Sequence, residues 1–290
     1  MKQISKVLIA YDGSTCSDAA LRDLKRAGLP EHLEAVVISV AALVFLSPDD
    51  RLPDDEVVSP AAAAMVSPLQ QEARAALKHA HAIAQQGADR VKREFPGWTV
   101  SFRAEGDSPA WGVIKTATRL QSDLIVAGAH RHSSLGGRLI MGSVSQRVLY
   151  EADCPVRLAR CSNRQREGPI RIIVGFDGAA ESDAAVDAVA SRVWPAETEA
   201  RVVIVRDAMT LGEQLEKLRT SGLKTSEVIK HGDPAHVLLH AAEEWDADSI
   251  FVGSRDLHGF RHLLQGSVAS AIAAQAQCSV EVVRHARIAA

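Results

Sequence analysis

Two stretches of the chain have the residue types to hold an anion. VGSRDLHGFRHLLQGSVAS (residues 252–270) and AGAHRHSSLGGRLIMGSVS (residues 127–145) each leave an apolar run and pass through glycines and basic side chains. Each ends on Gly-Ser-Val, where a helical pattern starts. The first backbone N–H groups of a helix have no partner within it, and the helix dipole adds positive potential there. A phosphate suits such a nest. The candidates are Gly142, Ser143 and Val144 in the earlier stretch and Gly266, Ser267 and Val268 in the later one. A structural reading competes, since serine caps helices generally and glycine serves turns through its backbone freedom.

The elements that must position these loops occur twice. KVLIAYDGSTCSDAAL (6–21) matches RIIVGFDGAAESDAAV (171–186), AEGDSPAWGVIKTATRLQSDLIVAG (104–128) matches KHGDPAHVLLHAAEEWDADSIFVG (230–253), and GSVSQRVLYEADCPVRLAR (142–160) matches GSVASAIAAQAQCSVEVVR (266–284). Three matches in one order mark a duplication. The offset falls from 165 at Asp12/Asp177 to 126 at Gly106/Gly232, so the second copy lacks 39 residues around 41–86 of the first. Within that region, the proline-rich, acidic stretch 47–68 reads as an irregular surface insertion or a lid, and 69–94 as a long helix.

In each copy short apolar runs alternate with helical patterns. KVLIAY, AVVISV, TVSFRA, DLIVAG and PVRLAR recur as RIIVGF, ARVVIV, TSEVIK, SIFVG and VEVVR. This rhythm predicts βαβ units and a parallel sheet with helices on both faces. Ser14 or Ser17 would cap the first helix, and Asp107 and Asp233 would serve as caps or turn formers. A second helix around 211–220 would be much shorter than its counterpart. Ligands of such sheets sit beyond the carboxyl ends of the strands, where strand order reverses. The Asp-Gly after strand one and the glycine loop after strand four both lie at that end.

A chain of 290 residues, 47% hydrophobic and 24% charged, suits two soluble globular domains. The expected boundaries are 1–162 and 168–290. A net charge of −3 and 4% aromatics offer no footprint for nucleic acid or an anionic membrane. No apolar run approaches a bilayer span. Cys16, Cys154, Cys161 and Cys278 lack paired-ligand spacing and read as reduced thiols of a cytoplasmic protein. The pairs His130/His132 and His258/His262 lack a third convincing ligand and read as loop histidines rather than a metal site.

YDGS, EGDSPAWGVIKTATRLQSDLIVAGAH and GSVSQRVLYEADCPVRL resemble the universal stress protein family, and the second copy resembles it equally. The resemblance implies two tandem doubly wound five-stranded parallel-sheet α/β domains of the adenine-nucleotide-binding type, packed as a pseudo-dimer through their last strands. It also implies an ATP loop, Gly-x-x-Gly-(nine residues)-Gly-Ser/Thr, which part of the family has lost. Through it, Asp12 and Asp177 would face the nucleoside, and Val40 and Val205 would flank the adenine.

Neither loop fits cleanly. Gly253 and Gly266 have the family spacing, but Asp256 replaces the middle glycine. Gly128 and Gly142 are one residue too far apart, and Arg131 stands at the middle position. A carboxylate about 4 Å from a phosphate costs on the order of a few kcal/mol at an effective dielectric near 20, unless Mg2+ intervenes. Arg131 brings a cation suited to phosphate, so the first copy is favoured. The leading expectation is an adenine-nucleotide (ATP, with Mg2+) sensor or regulator, monomeric as an internal pseudo-dimer or built into a larger homo-oligomer. The alternative is an interaction scaffold with relic loops. An enzyme is disfavoured beyond slow ATP hydrolysis, since no GxxxxGK[ST] or SGGxDS motif is present.

Overall fold

The computed structural model describes residues 3–43, 68–129, 131–133, 139–160, 168–205, 211–254 and 268–284. The insertion at 47–68 lies outside them except for Pro68. The first half runs β1 (Lys6–Ala10), α1 (Thr15–Asp23), β2 (Glu34–Ala42), α2 (Pro68–Glu94), β3 (Thr99–Asp107), α3 (Pro109–Leu120) and β4 (Leu124–Ala129). It continues through β5 (Arg131–Ser133), β6 (Leu139–Met141), α4 (Ser143–Glu151) and β7 (Val156–Arg160). The second half runs β8 (Arg171–Phe176), α5 (Ala180–Ala190), β9 (Glu199–Val205), α6 (Gly212–Thr220) and β10 (Lys224–Lys230), then α7 (Pro234–Glu244), β11 (Ser249–Ser254), α8 (Val268–Gln275) and β12 (Ser279–Arg284).

The strands form one ten-stranded sheet in the order β10-β9-β8-β11-β12-β7-β4-β1-β2-β3. Each half is parallel, and the halves meet through the antiparallel pair β7–β12. Strand order reverses between β1 and β4 in the first half and between β8 and β11 in the second. The expected doubly wound tandem α/β architecture is what the chain adopts.

Local sequence explains the elements. Val7, Leu8 and Ile9 of β1 are all fully buried, as a strand covered on both faces requires. In α3, Pro109 opens the helix, Ala110, Val113, Ile114 and Ala117 form its buried stripe, and Gln121 closes it in the left-handed region at φ 51. Ser14 caps α1, accepting from the Ser17 backbone at 3.2 Å. Asp233 caps α7, accepting from the His236 backbone at 2.9 Å. Asp107 accepts from the Ser108 backbone at 2.7 Å and pairs with Lys115. The 39-residue difference is absorbed partly by the second helix, 27 residues in α2 and 9 in α6.

On one face of the sheet a single apolar cluster spans both halves, from Leu8 and Ile38 through Val148 and Leu158 to Ile272 and Val280. On the other face there are two separate clusters, one around α1 and α2 and one around α5 and α6. The long α2 is fastened to α1 by charge. Arg90 pairs with Asp18, and the Tyr11 hydroxyl donates to the same carboxylate at 2.6 Å.

Candidate functional site

The carboxyl ends of β1 and β4, the head of α1 and the head of α4 converge at the first switch point. Asp12 follows β1 and is exposed. Its Oδ1 accepts from the Ser14 backbone at 3.0 Å, closing a turn over Gly13 at φ 76. Partial burial pushes the Asp12 carboxyl up, but hydrogen bonds from Ser14 and Ser17 outweigh it and hold the group below its ordinary value. It is therefore an anion at neutral pH. Asp177 does the same job in the second half, with Oδ1 accepting from the Ala179 backbone at 3.1 Å over Gly178 at φ 81.

Gly128, the last residue but one of β4, lies under the first turn of α1. A Cβ there would lie 2.3 Å from the Cys16 carbonyl oxygen, and one on Gly253 would lie 2.0 Å from that of Glu181 in α5. Real Cβ contacts never come that close, so both first glycines are fixed by strand–helix packing. Ser145 then ties α4 to this edge, its hydroxyl donating to the Gly128 carbonyl at 3.2 Å.

Gly142 differs. It is the N-cap of α4 at φ −59, ψ 146, a conformation open to any residue, with no side-chain cap bond. A Cβ there would meet nothing within 4 Å among the described residues. Among those residues nothing requires glycine here or fills the space where its side chain would lie. The reading of Ser143 as a helix cap is corrected by this geometry. Ser143 is the exposed first residue inside α4, and the cap is Gly142. Val144 follows at 38% exposure, matched by Val268 at 38% in α8. Gly266, Ser267 and Asp256 lie outside the described residues, as do His130, His258, His262 and the side chain of His132.

Part of the segment between Gly128 and Gly142 is paired strand. Arg131 begins β5, which pairs antiparallel with β6 in the register Arg131↔Met141, His132↔Ile140 and Ser133↔Leu139. Beneath β6 lies α8 of the other half. The signal was present in the sequence: Gly136-Gly137 between an extended segment and the apolar run Leu139-Ile140-Met141 is a hairpin pattern. Val40, at the end of β2, is half-buried with its methyl groups over Gly112 of α3. Val205 is 6% exposed within the shared core.

Sequence reasoning missed other features. Cys16 is disulfide-bonded, which corrects the expectation of four reduced thiols; its partner is not among the described residues. Cys154 and Cys278 are free, and burial pushes both thiols up to about 12. A cavity of about 1010 Å³ lies against Arg22, Lys25, Arg160, Pro169 and Glu197 and holds none of the expected site residues. Among the described residues no helix is long and apolar enough to cross a membrane, and no three His, Cys, Asp or Glu side chains are grouped to hold a metal ion.

Fold and site together define a duplicated α/β protein with a glycine-capped helix head at a strand switch point. The chain belongs to the universal stress protein family, whose sequence model it matches over residues 3–160 and 191–284. It is 27% identical over 309 residues to a universal stress protein of Mycolicibacterium smegmatis, covering 96% of both chains. It is 29% identical over 184 residues to one of Mycobacterium tuberculosis, covering 56% of this chain and 61% of that one. The fold is also that of a universal stress protein from Archaeoglobus fulgidus, with TM-score 0.67, 18% identity and coverage of 98% and 97%.

Proposed function

We propose that this universal stress protein is a regulatory protein that binds one adenine nucleotide, ATP with Mg2+, in its first half. The phosphates would meet the head of α4 at Gly142, Ser143 and Val144. Asp12 would face the nucleoside and Val40 the base. The observation that carries this reading is Gly142: a helix head with no side-chain cap and, among the described residues, nothing within 4 Å of where a Cβ would lie. Unclaimed N–H groups and a favourable dipole at such a head suit phosphate. Calorimetric titration of Mg-ATP into protein stripped of bound nucleotide tests it, with saturable binding expected and its absence at millimolar ATP counting against it.

A second reading, an interaction scaffold without nucleotide, draws on the β5–β6 ladder, which engages the backbone of Arg131 at the position where the family loop has its middle glycine. Under that reading Asp12 and Gly128 serve the turn and packing roles described above and nothing more. The same titration separates the two.

A further inference from the structure

The junction between the halves contains a chain of four charges, Arg157, Glu281 and Arg192 buried and Asp23 half-buried, whose arrangement follows from the duplication. The ladder pairs Val280 with Leu158, Glu281 with Arg157 and Val282 with Val156. Arg157 and Glu281 are equivalent positions of the two copies, 124 residues apart like Gly142 and Gly266. The local two-fold axis therefore passes through this pair. In a symmetric pairing of two first halves, arginine would face arginine here; in a pairing of two second halves, glutamate would face glutamate.

Both side chains are buried, Arg157 at 0% and Glu281 at 0% exposure. Arg157 donates to Asp23 of α1 at 2.6 and 3.1 Å and to Glu281 at 3.4 Å. Glu281 also pairs with Arg192, just beyond α5, and Arg192 donates to the Ala27 carbonyl of the first half. The sequence of charges is thus Asp23, Arg157, Glu281, Arg192, alternating in sign. The copies do not repeat the outer members: Asp23 corresponds to Ala188 and Arg192 to Ala27. These charges lie on the face where the apolar core is split between the halves, while the apolar core of the opposite face is continuous. Other junction contacts keep the two-fold symmetry. Arg160 donates to the Ala273 carbonyl, and Arg284 donates to the equivalent Leu149 carbonyl.

We propose that Arg157 and Glu281, backed by Asp23 and Arg192, are specificity-determining residues that commit the β7 edge to the β12 edge of the complementary half and reject a like half. Burial makes the code strict, because a like-charge pair removed from water has no solvent to screen it. Symmetric apolar contacts could join any two halves. Arg26–Asp248 and Tyr150–Ser270 are also copy-specific, but Arg157 and Glu281 are the pair set directly opposite each other in the ladder at equivalent positions.

Full-length Glu281→Arg and Arg157→Glu chains, carrying different tags, test the proposal. Each alone can offer only like charges at the axis. Co-expressed, they recreate Arg157 against Glu281 between chains. The expected product is a 1:1 mixed complex of about 62 kDa, twice the 31.1 kDa chain, purified through both tags, whether or not either chain is soluble alone. The idea is overturned if each variant by itself is a closed monomer with the unfolding midpoint of the parent, or if co-expression gives no mixed complex. A milder arm uses a denaturation cycle with Arg157→Met, Glu281→Met and the double variant. At least a tenfold departure from additivity in the unfolding constant is expected, and additivity within twofold would contradict the pairing.

Discussion

Replacing Gly142 by aspartate separates the anion reading from the structural one. The backbone at φ −59, ψ 146 admits any residue, and a Cβ there meets nothing within 4 Å among the described residues. Aspartate is also a better N-cap than glycine by a few tenths of a kcal/mol, and its charge complements the helix dipole by about 0.3–1 kcal/mol. Folding stability should therefore hold or rise. A bound phosphate fares differently. A carboxylate about 4 Å away at an effective dielectric near 20 repels each phosphate charge by about 4 kcal/mol, roughly a thousandfold in Kd. Calorimetry with Mg-ATP measures the affinity and urea denaturation the stability. ATP binding within threefold of the parent would refute the assignment of the α4 head. A variant that fails to fold would refute the account of Gly142 as sterically unneeded.

Gly128→Ala and Gly253→Ala should behave in the opposite sense, since the new methyl groups would lie 2.3 and 2.0 Å from carbonyl oxygens of the adjoining helices. Each should lower stability by about 1–3 kcal/mol in urea melts, with or without nucleotide, and an unchanged midpoint would count against the close approach. The Tyr11 hydroxyl is pushed from 10.0 up to about 12 by burial first and then by its hydrogen bond to Asp18. The fold favours the neutral phenol, so this contribution is whole below pH 10 and is lost as pH rises toward 12. Absorbance titration of a Tyr150→Phe chain should find the remaining tyrosine ionising near 12, and a midpoint near 10 would contradict the buried Tyr11–Asp18 bond.

Much of this was legible in the residues because it rests on local pattern. Nearly all-apolar strands such as KVLIA report burial on both sheet faces, and the helix expected over 69–94 is α2 at Pro68–Glu94. Repetition exposed the tandem organisation, and the family resemblance pointed to the pairing of the last strands. What escaped depends on contacts distant in the chain. Gly128 looks like a loop glycine until Cys16 is seen above it. Arg157 and Glu281 look like an ordinary difference between copies until the register places them on one axis. The β5–β6 hairpin was hidden because the family pattern draws attention to the middle glycine rather than to Gly136-Gly137. Val205, expected beside a base, is buried at the end of β9, as any apolar strand residue there would be.

The central claim, one nucleotide held by the first half, is tested most directly by the stoichiometry of Mg-ATP binding to stripped full-length protein. The account predicts one saturable site per chain, lost in Gly142→Asp and kept in Asp256→Gly. No saturable heat at millimolar ATP, or a single site that survives Gly142→Asp, would contradict it.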